Sequence, residues 1–180
     1  MDISPSVYEH AAALIGRTPW ETSRDADLLF AAHAEAYRVY RHTPIMPGID
    51  IYNLEAEAYG AKVENPGGTG IPAIHQPILR SAAELLELKP LNPRTDGRIP
   101  MAIAVAARLA RQFPETQVRV PVSGPFSIAS NLVGFEALLC DVAARPDDVA
   151  QGLRHLVRGQ VAFAEEIRAQ GVDIAFFESA

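Results

Sequence analysis

Four polar side chains and one aromatic stand where apolar runs give out. Asp50 follows IMPGI, Phe126, Ser127 and Asn131 follow QVRVPVSGP, and Glu178 follows VDIAFF. A carboxylate in such a place can accept several N–H hydrogen bonds or carry a proton. Ser127 and Asn131, one helical turn apart, can face one pocket and orient a polar ligand. Phe126 offers a flat apolar face. If the apolar runs are strands of a parallel sheet, these residues lie at its carboxyl ends, where such sheets keep their sites. Each residue also has a purely structural reading. Asp50 would cap the helix that starts at 51, Ser127 would cap the next one, Phe126 would pack in the core, and Glu178 would be a solvated strand end.

The other reactive side chains point to less. A single cysteine, Cys140, excludes an intrachain disulfide and any Cys-cluster metal motif, and it reads as a small buried apolar residue. His75 lies in a Pro/Gly loop, while His10, His33, His42 and His155 lie in or beside helical patterns without partners at metal spacing. No metal site is expected within this chain. The segment ENPGGTG lacks the Lys-Ser/Thr of a phosphate loop and no helix follows it. A net charge of −6 with scattered basic residues argues against a nucleic-acid surface. No apolar stretch reaches the roughly 18 residues of a membrane span. The start MDISPSVYEH shows no basic flank followed by an apolar stretch, so a cytoplasmic, soluble protein is expected.

The elements that must position these residues follow from periodicity and punctuation. Helices are predicted over 5–15, from an Ser23 cap to about 42, over 51–61, 81–88 and 98–113, through 127–144, and over 146–171. TPIMPGID (43–50) reads as extended or as a strand cut by prolines, QVRVPV (117–122) as a strand, and VDIAFFES (172–179) as a strand buried on both faces. Residues 64–79 form a Pro/Gly loop. Strands separated by helices of this length pair in parallel. Three or four strands fall short of the eight, and the 180 residues short of the about 250, of a (β/α)₈ barrel. The expectation is therefore the first half of such a barrel with extra N-terminal helices, residues 1–180 forming one partial domain.

The segments GIDIYNLEAEAYGAKV (48–63), DGRIP (96–100), VPVSGPFSIASNLVGFEALLCD (120–141) and AQGVDIAFFES (169–179) together resemble the uroporphyrinogen decarboxylase superfamily. That group includes the heme-pathway decarboxylase and corrinoid-linked thiol methyltransferases. The resemblance implies a (β/α)₈ barrel about twice this length, with its second half absent here. It places the family's aspartate, which faces pyrrole N–H groups in the decarboxylase, on Asp50. It places the decarboxylase's tyrosine on Asn131, which has no phenol. The decarboxylase's N-terminal Arg-Gln-Ala-Gly-Arg-Tyr stretch has no counterpart, since GRTPWETSR (16–24) offers Arg17 and Arg24 in another context.

The methyltransferase branch implies zinc held by a His-x-Cys pair and a later Cys, all of which would fall beyond Ala180. The resemblance thus implies a methyltransferase-like enzyme when full length, with zinc and a corrinoid substrate or corrinoid protein as partner, and with this chain alone binding no cofactor. A true uroporphyrinogen III decarboxylase and a non-catalytic corrinoid- or tetrapyrrole-binding module are the alternatives. The oligomeric state is left open.

Overall fold

The computed structural model describes residues 5–178. Three helices open the chain: α1 (Tyr8–Leu14), α2 (Pro19–Arg24) and α3 (Ala26–Tyr40). The sequence reading missed α2, although its signal is present as Thr18-Pro19-x-Glu21. The Thr18 hydroxyl accepts from the Glu21 N–H while the Glu21 carboxylate accepts from the Thr18 N–H. Ser23 therefore does not cap α3. Asp25 does, its Oδ1 accepting from the N–H groups of Asp27 and Leu28.

An extended segment, 43–50, leads to a 3-10 turn (Ile51–Asn53) and α4 (Leu54–Ala58). The loop that follows folds back once, at an antiparallel bridge between Glu64 and Ala73. A 3-10 turn (Ala82–Glu87), α5 (Ile99–Gln112) and strand β1 (Arg119–Ser123) come next. The helix expected through 127–144 is two helices, α6 (Pro125–Val133) and α7 (Phe135–Ala144). Gly134 separates them with φ of +92°, a backbone state that other residues rarely adopt. α8 (Pro146–Ala169) and β2 (Asp173–Phe177) close the described chain.

The sheet is smaller than the predicted three or four strands. β1 and β2 pair in parallel, with Val120 opposite Ile174 and Ser123 opposite Phe177. The segment 43–50 meets the chain just ahead of β1 through a single parallel bridge, Ile45 to Val118. The reason is local. Alternate β1 amides face that segment, and the Arg119 N–H donates to the Ile45 carbonyl at 2.9 Å. The next position in line is Pro121, which has no N–H, so the ladder stops.

One core cluster packs Leu29, Ile99, Leu109, Val120, Phe163 and Ile167 between α3, α5, α8 and the sheet. A second packs Leu85, Ile128, Leu132, Leu138 and Leu156 between α6, α7, α8 and the 3-10 turn at Ala82–Glu87. On the far side of β2, Val122, Ile174 and Phe176 face Val157, Val161 and Ala164 of α8 across an open apolar trough of about 510 Å³. Phe176 is 62% exposed there. An unpaired parallel edge with such a face is the surface that a further βα unit covers in a closed barrel. No single described helix is long and apolar enough to cross a membrane. α6 and α7 together have the length and composition, but they are bent by 112° at Gly134.

Two glycines let α8 lie close to its neighbours. A Cβ at Gly152 would stand 2.8 Å from both the Ala82 carbonyl oxygen and Leu85 Cδ1, and one at Gly159 would stand 2.9 Å from Leu91 Cβ. Gly152→Ala is therefore expected to destabilise the protein by about 1–3 kcal/mol, despite alanine's higher helix propensity. Urea unfolding of the variant beside the parent checks this.

Candidate functional site at the strand exits

Asp50 ends the first extended segment, and its side chain is 1% exposed. It does not cap the turn that follows, because no backbone N–H of that turn reaches its carboxylate. Its partner is Arg98, the residue that opens α5. Arg98 Nη1 donates to Oδ1 and Nη2 to Oδ2, each at 2.7 Å, and the Asn53 amide adds a bond to Oδ2 at 3.3 Å. Arg98 Nε donates to Glu57 Oε2 at 2.5 Å, and Glu57 Oε1 accepts from Arg24 at 2.5 Å. Two cations and two anions thus close on one another. Burial works against the Arg98 charge, but Asp50 and Glu57 outweigh it and raise the guanidinium's pKa. The cavity beside the pair, bounded by Ser23, Gly48, Asp50, Arg98 and Met101, measures about 20 Å³. That is room for about one water. Gly48, two residues upstream, is pinned by His33, whose Nε2 lies 2.9 Å from its carbonyl oxygen and 3.0 Å from its nitrogen. Burial pushes that imidazole down to about 4, so the ring is neutral at physiological pH.

The second exit is built around Glu55. This carboxyl is 1% exposed, and it accepts from the Ser123 N–H at 2.7 Å and the Ser123 hydroxyl at 3.1 Å. Burial pushes it up to about 7, against the pull of those two donors. Gln160 Nε2 of α8 donates to the Ser123 carbonyl. The β1 exit is therefore held by side chains from two other elements.

The third exit brings Glu178 to Ser127. Glu178 Oε1 accepts from the Ser127 N–H at 3.0 Å and from its hydroxyl at 3.3 Å. Ser127 lies inside α6, so it is not the cap expected from sequence; Glu178 supplies the anion at that helix's first turn. A Cβ at Gly124 would fall 1.1 Å from Glu178 Oε2. The φ of Gly124, −69°, suits any residue, so a side chain there would act by displacing the Glu178 carboxylate from Ser127. Asn131 Nδ2 donates to the Tyr52 carbonyl at 2.7 Å, tying α6 to the first exit. Phe126 is half-buried against the second core cluster, the packing role.

Ser127 is therefore joined to Glu178, Asn131 to the first exit, and Asp50 to Arg98. Among the described residues, hydrogen bonds tie α6 to the first exit through Asn131 and to Glu178 through Ser127, while Asp50 itself is held by Arg98 and Asn53. Sequence reasoning missed Arg98, Glu55, Glu57 and Gln160. A cation at the start of α5, where the helix dipole disfavours it, was the available signal for Arg98. His75 is exposed in its loop, and Cys140 is exposed on α7 rather than buried. Among the described residues no group of three or more His, Cys, Asp or Glu could hold a metal ion.

The family model for uroporphyrinogen decarboxylase (URO-D) matches residues 4–180. The chain belongs to the URO-D family. A solved methyltransferase from Methanosarcina mazei shares the fold of this URO-D chain with a TM-score of 0.76 and 16% identity. The match covers 97% of this chain and 52% of that one, so the chain spans about half the length of its structural neighbour. No curated protein matches the sequence.

Within this URO-D chain, Arg98→Ala leaves a buried Asp50 without its cation and is expected to cost about 3–5 kcal/mol. Replacing both partners, as Asp50→Asn with Arg98→Leu, should recover much of that loss in chemical denaturation. At the third exit, Gly124→Ala and Glu178→Ala should each cost about 0.5–2 kcal/mol. Their double mutant should cost little more than either alone, since both remove one interaction.

Proposed function

We propose that this chain is the first half of a (β/α)₈ barrel of the URO-D family, and that the whole protein is a methyltransferase working with zinc and a corrinoid partner. One observation carries this preference over decarboxylation. A decarboxylase would need Asp50 to offer its oxygens to pyrrole N–H groups, yet each oxygen is held by Arg98 at 2.7 Å. Meeting a tetrapyrrole would mean dismantling a buried ion pair beside a cavity of about 20 Å³. Asn131 points the same way. It stands where the resemblance puts the decarboxylase's tyrosine, and it spends its amide on the Tyr52 carbonyl. Likeness in fold to a methyltransferase fits this reading.

In this reading zinc would hold a thiol as thiolate at neutral pH. The described residues do not supply its donors. What this chain contributes is rigid placement: Arg98 fixes the first exit, Glu55 the second, and Glu178 the third.

The full-length protein is expected to contain zinc and to demethylate methylcobalamin in the presence of a thiol, losing that activity on chelation. It should release no carbon dioxide from uroporphyrinogen III. Decarboxylation of uroporphyrinogen III would overturn the proposal in favour of the biosynthetic enzyme. Zinc-free protein that binds a tetrapyrrole without turnover would overturn it in favour of a binding module.

A further inference from the structure

The hydrogen bonds around Ser123 contain a choice that the chain must make. Its hydroxyl lies 3.1 Å from Glu55 Oε2 and 3.4 Å from the Ile51 carbonyl oxygen, both at donating geometry. One hydroxyl carries one hydrogen and cannot fully serve both. Which acceptor it serves depends on Glu55. A protonated carboxyl donates from Oε2 to Ser123 Oγ and leaves the hydroxyl hydrogen free for Ile51. An ionised carboxylate claims that hydrogen itself.

The carboxyl occupies a place where a strand would otherwise sit. Along the β1 edge the Arg119 N–H meets the Ile45 carbonyl, Pro121 has no N–H, and the Ser123 N–H meets Glu55 Oε1 at 2.7 Å. Glu55 is 1% exposed, and no cation pairs with it among the described residues. From α8 it is approached through Gln160, which holds the Ser123 carbonyl. α6 has no titratable side chain in PFSIASNLV, and β1 has only Arg119 at its far end. At the end of α4 stands Tyr59, whose phenol is raised by burial and further by Glu55 and Asp96. Asp50, Glu57, Arg98 and Arg24 close among themselves.

We infer that Glu55 and Ser123 form a proton-linked positioning pair joining the first two strand exits. With Glu55 protonated, Ser123 bonds Ile51, the neighbour of Asp50, and ties that exit to β1. When Glu55 gives its proton to solvent, the hydroxyl turns to Oε2 and the Ile51 carbonyl is released. This holds whichever reaction the whole protein performs. Burial pushes Glu55 up to about 7, which places the exchange near neutral pH. The sign follows from that direction: the protonated form is favoured by folding, so the tie weakens as pH rises through that value. His33, pushed down to about 4, and His42, also shifted down by burial, change state at lower pH.

The test is hydrogen exchange of the full-length protein, followed in peptides covering residues 48–56 and 119–127 and corrected for the intrinsic pH dependence of exchange. Protection in both should fall by about tenfold between about pH 6 and about pH 8. In Glu55→Gln, whose amide mimics the protonated carboxyl, protection should stay flat over that range. Ser123→Ala serves as the second variant. It removes the hydroxyl that makes the tie, so protection in peptide 48–56 should no longer fall between about pH 6 and about pH 8. An unchanged profile in Glu55→Gln overturns the proposal. Should that variant not fold, a fall in peptide 48–56 of Ser123→Ala as large as the parent's does the same.

Discussion

The bidentate bond between Arg98 and Asp50 is the constraint around which the first half of the chain is arranged. An arginine that opens a helix sits against the positive end of the dipole, and this one is also buried, with its side chain 10% exposed. Both conditions are costly unless anions surround the guanidinium. Asp50 meets that need from the end of an extended segment and Glu57 from α4, while the Ser23 carbonyl accepts a further bond from Nη1 at 3.1 Å. The start of α5, the first strand exit, α4 and the end of α2 therefore converge on one side chain. Glu57 then recruits Arg24, which balances the charge. Removing Arg98 leaves Asp50 in surroundings that water does not rescue, whereas Arg24 and Glu57 keep some access to solvent.

A second regularity is that side chains do the work of missing strand pairs. Pro121 ends the ladder between the first segment and β1, and two residues later Glu55 receives the amide that a neighbouring strand would have taken. On the other side, Gln160 takes the Ser123 carbonyl. At the third exit Glu178 serves an amide of α6, and the Gly124 N–H closes on the Phe177 carbonyl at 2.5 Å. A parallel sheet of two strands has few backbone bonds with which to define where its strands end. Carboxyls supply that definition here, Glu55 from a buried position and Glu178 from an exposed one.

Much of the fold was legible because it rests on local rules. The long helix at 146–169 announced itself through Pro146, the aspartates of its first turn and its apolar face, and β2 through its continuous apolar run. Even so, β2 is exposed or half-buried along its length rather than buried on both faces, because no described element covers its outer side. The misses have equally local causes. α2 was overlooked because its capping box precedes only six residues. The break at Gly134 was hidden because apolar spacing continues across it. At the site, the positions Asp50, Ser127, Asn131 and Glu178 were readable as strand exits, but their partners were not. Arg98 lies 48 residues from Asp50 and Glu55 lies 68 from Ser123. Pairings at such separations leave no periodic trace in one sequence.

The end of the extended segment 43–50 is where Asp50 stands, but the pairing with Arg98 decides what it can do. A carboxylate left open at a strand exit is an acceptor for whatever N–H groups a ligand brings. A carboxylate gripped at both oxygens by a buried guanidinium is a structural strut, and ligand binding then competes with an interaction already satisfied. An aspartate at the end of an extended segment can therefore be an open acceptor or scaffolding, depending on whether a cation reaches it, without any change in the aspartate itself. The deciding residue is Arg98, in the DGRIP turn at 96–100, and the consequence reaches Glu57 and Arg24 as well. What the first exit can offer a ligand is then decided by the long-range cation that reaches it, as much as by the residues that line it.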